Sequence, residues 1–240
     1  TAAITGKKLK KSPGHQAARP PDRQGGLKNR EKLAIAVENK NDCPLYTAKI
    51  IRNVTVGPSP DWLKDRLESV GVRSVNNVVD ITNLVLMELG EPLHAFDLDT
   101  LYPGPVSVRR AKAGEEITSI DGEVRKLHPE ILVIADSRRP VAVAGVMGGK
   151  DTEVTEKTRN ILLEAAVFHP VTVRRGRQRL GMQSEAAYRF ERGIDAESVG
   201  EASSRAAALI RELCGGELAA AESTPVAQKK KTPIAFACGS

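Results

Sequence analysis

Apolar positions along the chain follow two different periods, and the helical period is the clearer one. In residues 60–70 and 196–214 apolar residues recur every three or four positions, and glycines follow both segments as stop signals. Ser59 is placed to act as the N-cap of the first segment, with Pro60 at its first helical position. Both segments are predicted to be helices.

Shorter apolar segments predict β-strands. Residues 46–56 carry alternating β-branched residues, and residues 106–110 form a second candidate. Residues 117–124 are predicted to form a hairpin around an Asp-Gly pair. Three runs are almost continuously apolar, as in strands that are covered on both faces: residues 131–135, 141–146 and 160–166.

These elements predict an α+β fold. We expect a curved, mostly antiparallel sheet or an open barrel as the core, with helices packed outside. A parallel, doubly wound sheet is the main alternative. The predicted strands between residues 106 and 124 are too close in sequence for helical crossovers, which favours the antiparallel arrangement.

Composition limits the class of protein. The chain has 240 residues and 40% hydrophobic residues, enough for the core of one large or two small domains. Its three cysteines, Cys43, Cys214 and Cys238, are far apart and form no CxxC pair, which argues against a disulfide framework and a zinc site. No apolar run approaches the roughly 20 residues that span a bilayer. We therefore expect a cytoplasmic protein without a membrane partner.

Positive charge is concentrated at the start of the chain. Residues 1–40 contain ten Lys or Arg and three acidic residues, whereas the other 200 residues contain 26 basic and 27 acidic ones. A solvated linker and a loose phosphate contact both explain this excess. We expect residues 1–42 to be a basic, irregular lead-in with regular structure beginning near Leu45. Residues 43–221 would form one domain, and residues 222–240 a linker toward a following domain of a longer protein.

One stretch, residues 78–97, combines apolar residues with Asp80, Thr82 and Asn83, and it is broken by a glycine and a proline just before His94. An isolated histidine among apolar residues is most often a core residue with one satisfied nitrogen. A functional role for His94 therefore needs support from elsewhere in the chain.

Glu164 is the one acidic residue in the apolar segment 160–166. A carboxylate buried in such a segment costs several kcal/mol unless it is paired or hydrogen-bonded. Glu164 either faces solvent on an alternating strand, pairs with a nearby arginine, or is a buried acid with a function.

Two further segments are candidates for binding. A glycine cluster that contains Gly145 and Gly148 follows a buried strand, where it allows either close approach of a ligand or a plain tight turn. Its spacing does not match a dinucleotide or nucleoside-triphosphate loop. Ser184 is expected to cap a helix that ends at Gly193. The preceding segment is rich in arginines that suit either a phosphate backbone or a charged helix face: Arg174, Arg175, Arg177 and Arg179.

Three motifs together resemble one family. Residues 79–97, then residues 144–149 with 160–165, then residues 184–195 occur in the order and with the spacing of the tRNA-editing domain of the bacterial phenylalanyl-tRNA synthetase β subunit. The resemblance covers about residues 43–218. The lead-in resembles the end of the tRNA-binding-type region that precedes this domain.

The resemblance implies hydrolysis of the ester in mischarged tyrosyl-tRNA(Phe). It places Glu164 on the tyrosine hydroxyl and His94 beside the ester, where His94 orients or deprotonates water unless the ribose hydroxyl or amino group of the substrate does so. The remaining positions implied to contact the substrate are Thr82, Asn83, Gly145, Gly148, Ser184 and Ala186. Many relatives have threonine where Ser184 stands, a change that affects only the tightness of the pocket.

The resemblance also implies partners. They are tRNA(Phe) and a synthetase α subunit, in an assembly of two α and two β subunits. No metal or cofactor is expected in this domain, because ATP and Mg²⁺ would belong to a synthetic site elsewhere in the enzyme. The main alternative is a non-catalytic structural or tRNA-binding domain of the same synthetase in which editing has been lost. An unrelated basic RNA-binding protein is disfavoured, because aromatic residues make up 3% of the chain.

Overall fold

The computed structural model describes residues 34–224, which contain eleven β-strands and five α-helices. The strands are β1 Ile35–Val37, β2 Leu45–Arg52, β3 Leu93–Asp97, β4 Val106–Arg110, β5 Glu116–Thr118, β6 Val124–Lys126, β7 Leu132–Ala135, β8 Pro140–Val143, β9 Met147–Gly148, β10 Asn160–Val167 and β11 Glu217–Ser223. The helices are α1 Asp61–Ser69, α2 Asn77–Leu89, α3 Pro170–Leu180, α4 Glu185–Phe190 and α5 Val199–Cys214.

The strands form two larger sheets and a hairpin. One sheet has five strands in the order β1-β4-β7-β8-β9, and the other has four in the order β11-β2-β10-β3. Strands β5 and β6 form the hairpin predicted around the Asp-Gly pair. Apart from the parallel pair β1–β4, the strand pairs within residues 34–224 are antiparallel, and the sheets do not close into a barrel. The α+β prediction is confirmed.

The four-stranded sheet is the middle layer of the molecule. Its central strand β10 alternates between two cores, because successive side chains of a strand point to opposite faces. Ile161 and Leu163 pack with residues of α1, α2 and α5. Leu162 and Ala166 face the five-stranded sheet. This alternation directs Glu164 toward the core between the sheets.

Helix α2 delivers the chain to strand β3. Its N-cap is Asn76, whose side chain accepts a hydrogen bond from the backbone N–H of Val79 at 3.0 Å. It ends at Gly90, which adopts a left-handed conformation with φ 72°. The helix therefore stops a few residues before His94, which lies on the edge strand β3.

The predicted N-cap of helix α1 is wrong. The helix begins at Asp61, Pro60 is the N-cap residue, and no side chain caps it. The hydroxyl of Ser59 instead donates to Oδ2 of Asp80 at 2.5 Å. Asp80 is completely buried and also accepts bonds from Ser74 and the backbone of Val75. A buried carboxylate requires such donors, so this tertiary demand overrides the local capping pattern.

Some predicted boundaries are also wrong. Strand β1 lies ten residues before Leu45, where regular structure was expected to begin, and β11 extends to Ser223. Both strands are held by pairing with distant strands, β4 and β2 respectively. The predicted helix 196–214 begins at Val199, and the helix capped by Ser184 ends at Phe190, before Gly193.

Cys43 and Cys214 are buried free thiols, whereas Cys238 and most of the basic lead-in lie outside the described residues. Within residues 34–224 no helix is long and apolar enough to cross a membrane. The same part of the chain contains no group of three or more residues able to hold a metal ion.

Candidate functional site

A small cavity of about 80 Å³ opens between β3, β10 and the loop after β8. Its wall is mostly apolar, and His94 and Glu164 are its titratable residues. The other lining residues are Pro92, Leu93, Ile134, Ala142, Val143, Gly145, Val146, Met147, Gly148, Ala186 and Phe190. An apolar pocket with a few converging polar groups is the usual form of a small-ligand site.

Strand pairing brings the two titratable residues together. Strands β10 and β3 are antiparallel neighbours, and Glu164 lies directly opposite His94. Paired residues of an antiparallel ladder project to the same face of the sheet, so both side chains enter the cavity. Residues that are 70 positions apart in sequence thus become cross-strand neighbours.

Glu164 is a buried acid without a basic partner among the described residues. Its side chain is held by Tyr46, whose hydroxyl donates to Oε2 at 3.1 Å. Burial raises the pKa of Glu164 to about 8, and the Tyr46 hydrogen bond opposes this shift in part. Burial of Glu164 thus favours its protonated form. The alternatives of a solvent-facing or arginine-paired Glu164 do not apply.

His94 is held as a neutral imidazole. Burial lowers its pKa to about 4. Its ring packs edge-on against Phe96, with the ring centroids 4.5 Å apart. The Nε2 atom is enclosed without a hydrogen-bond partner in the described part of the chain, whereas Nδ1 is not enclosed in this way. A histidine with so low a pKa is a weak general base at neutral pH, and a role in orienting water fits it better.

The glycine cluster leaves no room for side chains. A Cβ atom on Gly148 would lie 2.6 Å from Cε1 and Nε2 of His94. Gly145 has φ +68°, and a Cβ there would lie 3.0 Å from the rings of Phe168 and Phe190. Both glycines therefore permit close packing around the cavity, and the contact of either one with a substrate stays a prediction.

Ser184 connects helix α4 to the glycine-containing loop. Its hydroxyl donates to the backbone oxygen of Val146 at 2.7 Å and accepts from the N–H of Ala187 at 3.0 Å. The predicted capping role is thus confirmed. Its neighbour Ala186 lines the cavity, whereas Ser184 does not.

Thr82 and Asn83 lie on helix α2 and are not among the residues that line the cavity. The hydroxyl of Thr82 donates to the backbone oxygen of Val79 at 2.7 Å. The structure therefore does not bring these two residues together with His94 and Glu164. Their contact with a substrate stays a prediction.

The four arginines predicted to bind RNA all lie on helix α3, away from the cavity. Arg177 pairs with Glu191 at 3.1 Å, and Arg179 pairs with Glu130. Arg174 and Arg175 are exposed. The charged-face interpretation thus accounts for two of the four, and RNA binding stays a prediction for all of them.

Tyr46 was missed as part of the site. A usable signal was present in the sequence, because a tyrosine on a predicted buried strand needs a hydrogen-bond partner and a buried acid needs a donor. The lining residues Met147 and Phe190 were not singled out either, because apolar cavity walls resemble any other core.

Comparison with known proteins identifies the family. The B3/4 domain matches residues 42–215, and the chain belongs to this family.

The curated proteins similar to this chain are beta subunits of phenylalanine--tRNA ligase. The chain is 50% identical over 202 residues to the phenylalanine--tRNA ligase beta subunit of Geobacter metallireducens, covering 84% of the chain and 25% of that protein. It is 53% identical over 184 residues to the subunit of that name from Shouchella clausii, covering 77% of the chain and 23% of that protein. The chain thus spans about a quarter of the length of these curated relatives.

A solved structure supports the fold alone. It is an N-terminal fragment of the phenylalanyl-tRNA synthetase beta subunit from Pyrococcus horikoshii, with a TM-score of 0.51 and 14% sequence identity. The similarity covers 80% of this chain and 54% of that one.

Proposed function

We propose that this chain is the editing module of a phenylalanyl-tRNA synthetase β subunit and that it hydrolyses the ester of tyrosyl-tRNA(Phe). The observation that carries the proposal is the buried carboxyl of Glu164, which lies in an apolar cavity directly opposite His94. The high identity to subunits of that synthetase supports the substrate class.

The chemistry of selection follows from burial. An apolar pocket built for phenylalanine rejects a ligand with one extra hydroxyl only about a hundredfold, so tyrosine is attached by mistake. A second site inverts the preference when it contains a buried polar group that needs that hydroxyl. Glu164 is such a group, because Tyr46 engages only Oε2, so a phenol completes the hydrogen bonding of the carboxyl and a phenyl ring leaves its second oxygen unpaired at a cost of about 1–3 kcal/mol.

The hydrolytic step needs little from the protein. An aminoacyl ester is already activated, so a positioned water and stabilisation of the developing oxyanion are sufficient. In our proposal an imidazole nitrogen of His94 orients this water. We propose no cofactor for this domain, and we assign ATP and Mg²⁺ to a synthetic site elsewhere in the enzyme.

Substrate entry requires the cavity to widen. A dry cavity that binds benzene has a volume of about 150 Å³, nearly twice the 80 Å³ found here. Met147 is half-buried, lines the cavity and has an unbranched, flexible side chain. We propose that Met147 moves outward to admit the tyrosine ring.

The proposed partners are tRNA(Phe) and a synthetase α subunit, in an assembly of two α and two β subunits. Exposed Arg174 and Arg175 are suitable for contacts with the phosphate backbone, because guanidinium groups bind phosphate in a bidentate manner. These contacts would lie outside the cavity and would position the RNA without selecting the amino acid.

Deacylation of tyrosyl-tRNA(Phe) and phenylalanyl-tRNA(Phe) tests the proposal. The reaction is measured with the reconstituted synthetase and with the 240-residue chain. Wild type should release tyrosine selectively, Glu164→Ala should lose that selectivity, and His94→Ala should slow the reaction. Glu201→Ala, which changes an exposed acid on α5, is the control and should behave as wild type.

Equal or absent hydrolysis of both esters by the reconstituted wild-type enzyme contradicts the proposal. The non-catalytic structural or tRNA-binding domain would then be the better assignment.

A further inference from the structure

Tyr46 is a completely buried tyrosine that contacts Glu164 from behind the cavity. It lies on β2, opposite Ala166 of the adjacent strand β10, so that it is the diagonal neighbour of Glu164 on the same face. Its hydroxyl donates to Oε2 of Glu164 at 3.1 Å. Tyr46 is not among the residues that line the cavity.

Within the described residues, the phenol hydroxyl of Tyr46 makes its hydrogen bond to Glu164. A buried phenol needs such a partner. The nearby thiol of Cys43 donates instead to the backbone oxygen of Leu45 at 3.4 Å, so it does not compete for Glu164. One oxygen of the Glu164 carboxyl is therefore engaged by the protein itself.

We infer that Tyr46 is a positioning residue for tyrosine selection, holding Oε2 of Glu164 so that the carboxyl presents its other oxygen to a phenol in the cavity. This inference rests on the proposed function of the site. In this inference the carboxyl of Glu164 binds two phenols. One is the side chain of Tyr46 on strand β2, and the other is the tyrosine of the substrate.

The consequence is specific to recognition. Without the Tyr46 hydroxyl, the carboxyl is free to rotate and its hydrogen bond to the substrate is less well aligned. Within residues 34–224 the Tyr46 hydroxyl is hydrogen-bonded to Glu164 and not to His94, so we expect the hydrolytic step to be unaffected. The variant Tyr46→Phe should therefore bind the tyrosyl ester less tightly without slowing its hydrolysis at saturation.

The test measures kcat and KM of the reconstituted synthetase for both esters. For Tyr46→Phe we expect KM for tyrosyl-tRNA(Phe) to rise about tenfold, the scale of one hydrogen bond, with kcat within about twofold of wild type. Hydrolysis of phenylalanyl-tRNA(Phe) should not change. Tyr102→Phe is the matched control, because Tyr102 stacks under Arg138 and does not line the cavity.

Two further readouts separate positioning from a merely structural role. Loss of the Tyr46 hydrogen bond should raise the pKa of Glu164 further, which moves the inflection in the pH dependence of KM to higher pH. In a Glu164→Gln background the same substitution should have a much smaller effect. The inference would be overturned if a folded Tyr46→Phe protein showed an unchanged KM and an unmoved inflection. It would also be overturned if Tyr46→Phe raised KM equally in the wild-type and Glu164→Gln backgrounds.

Failure of the proposed function gives a different result, in which wild type hydrolyses neither ester selectively. The hydrogen bond can then be followed without activity, through the carbon-13 shift of the Glu164 carboxyl during a pH titration. An upward shift of the Glu164 pKa in Tyr46→Phe then shows that the hydrogen bond exists without a role in selection, and an unchanged pKa overturns the hydrogen bond as well.

Discussion

Glu164 and Glu91 are both buried acids whose pKa is raised to about 8, yet their surroundings differ. Glu164 has a tyrosine partner and lines a cavity opposite His94. Glu91 is completely buried, both of its carboxylate oxygens lack a hydrogen-bond partner within residues 34–224, and it does not line the cavity. Burial is the largest cause of the pKa shift in both, and the negative charge of Asp195 adds to it at Glu91.

The comparison shows that a shifted pKa by itself does not locate a functional site. Desolvation raises the pKa of any buried carboxyl, whether or not a ligand can reach it. What distinguishes Glu164 is geometry, namely an open cavity, a fixed carboxyl and a second polar residue on the neighbouring strand. Glu91 shares with Glu164 only its burial and the raised pKa that burial causes.

Replacing each glutamate by leucine tests this distinction with one substitution. Glu164→Leu removes the carboxyl from the cavity wall, so under the proposed function the preference for the tyrosyl ester should fall on the order of a hundredfold. Glu91→Leu should leave the preference within about twofold of wild type, the scatter of such assays. The ratio of kcat/KM for the two esters is the measurement. Similar losses in both variants would mean that the cavity does not set the preference.

The glycine at position 148 offers a second test of the geometry. An alanine Cβ there would lie 2.6 Å from His94, so the ring must move. A displacement of this kind costs roughly tenfold to a hundredfold in kcat. The matched control is Gly176→Ala on α3, where the new Cβ meets only Ile131 at 3.8 Å and activity should not change. Unaltered kcat in Gly148→Ala would show that the position of His94 does not control the reaction.

Local patterns predicted the elements of this fold well where apolar residues are continuous. The predicted strand 160–166 differs from β10 by one residue at its end, because a strand buried on both faces is apolar throughout. Strands β1 and β11 could not be found in this way. Neither strand contains a buried residue, and both are fixed by pairing with distant strands.

The two titratable residues of the candidate site could be singled out from the sequence, but their arrangement could not. His94 and Glu164 were singled out because each is a polar residue in an apolar segment. Their direct pairing depends on the register between β3 and β10, which local sequence does not specify. The same applies to Ser59, where a distant buried acid, Asp80, outweighs the capping signal.

The pH dependence of stability gives the last test of the comparison. The pKa of Glu91 in the folded chain, about 8, lies above the ordinary value of 4.5, so the folded state holds a proton that the unfolded state releases. The contribution of Glu91 to the free energy of unfolding should therefore be largest below about pH 4.5 and be lost as the pH rises through 8. Glu91→Gln removes the contribution of Glu91, so the fall should become shallower, and Glu164 supplies the remainder. The variant should be more stable than wild type at pH 8 by several kcal/mol, because one pKa unit corresponds to about 1.4 kcal/mol. Denaturant unfolding at several pH values measures the difference. If the difference in free energy of unfolding between the variant and wild type stays constant from pH 5 to pH 8, Glu91 does not titrate as its burial requires. Glu91 and Glu164 would then differ in more than their access to the cavity.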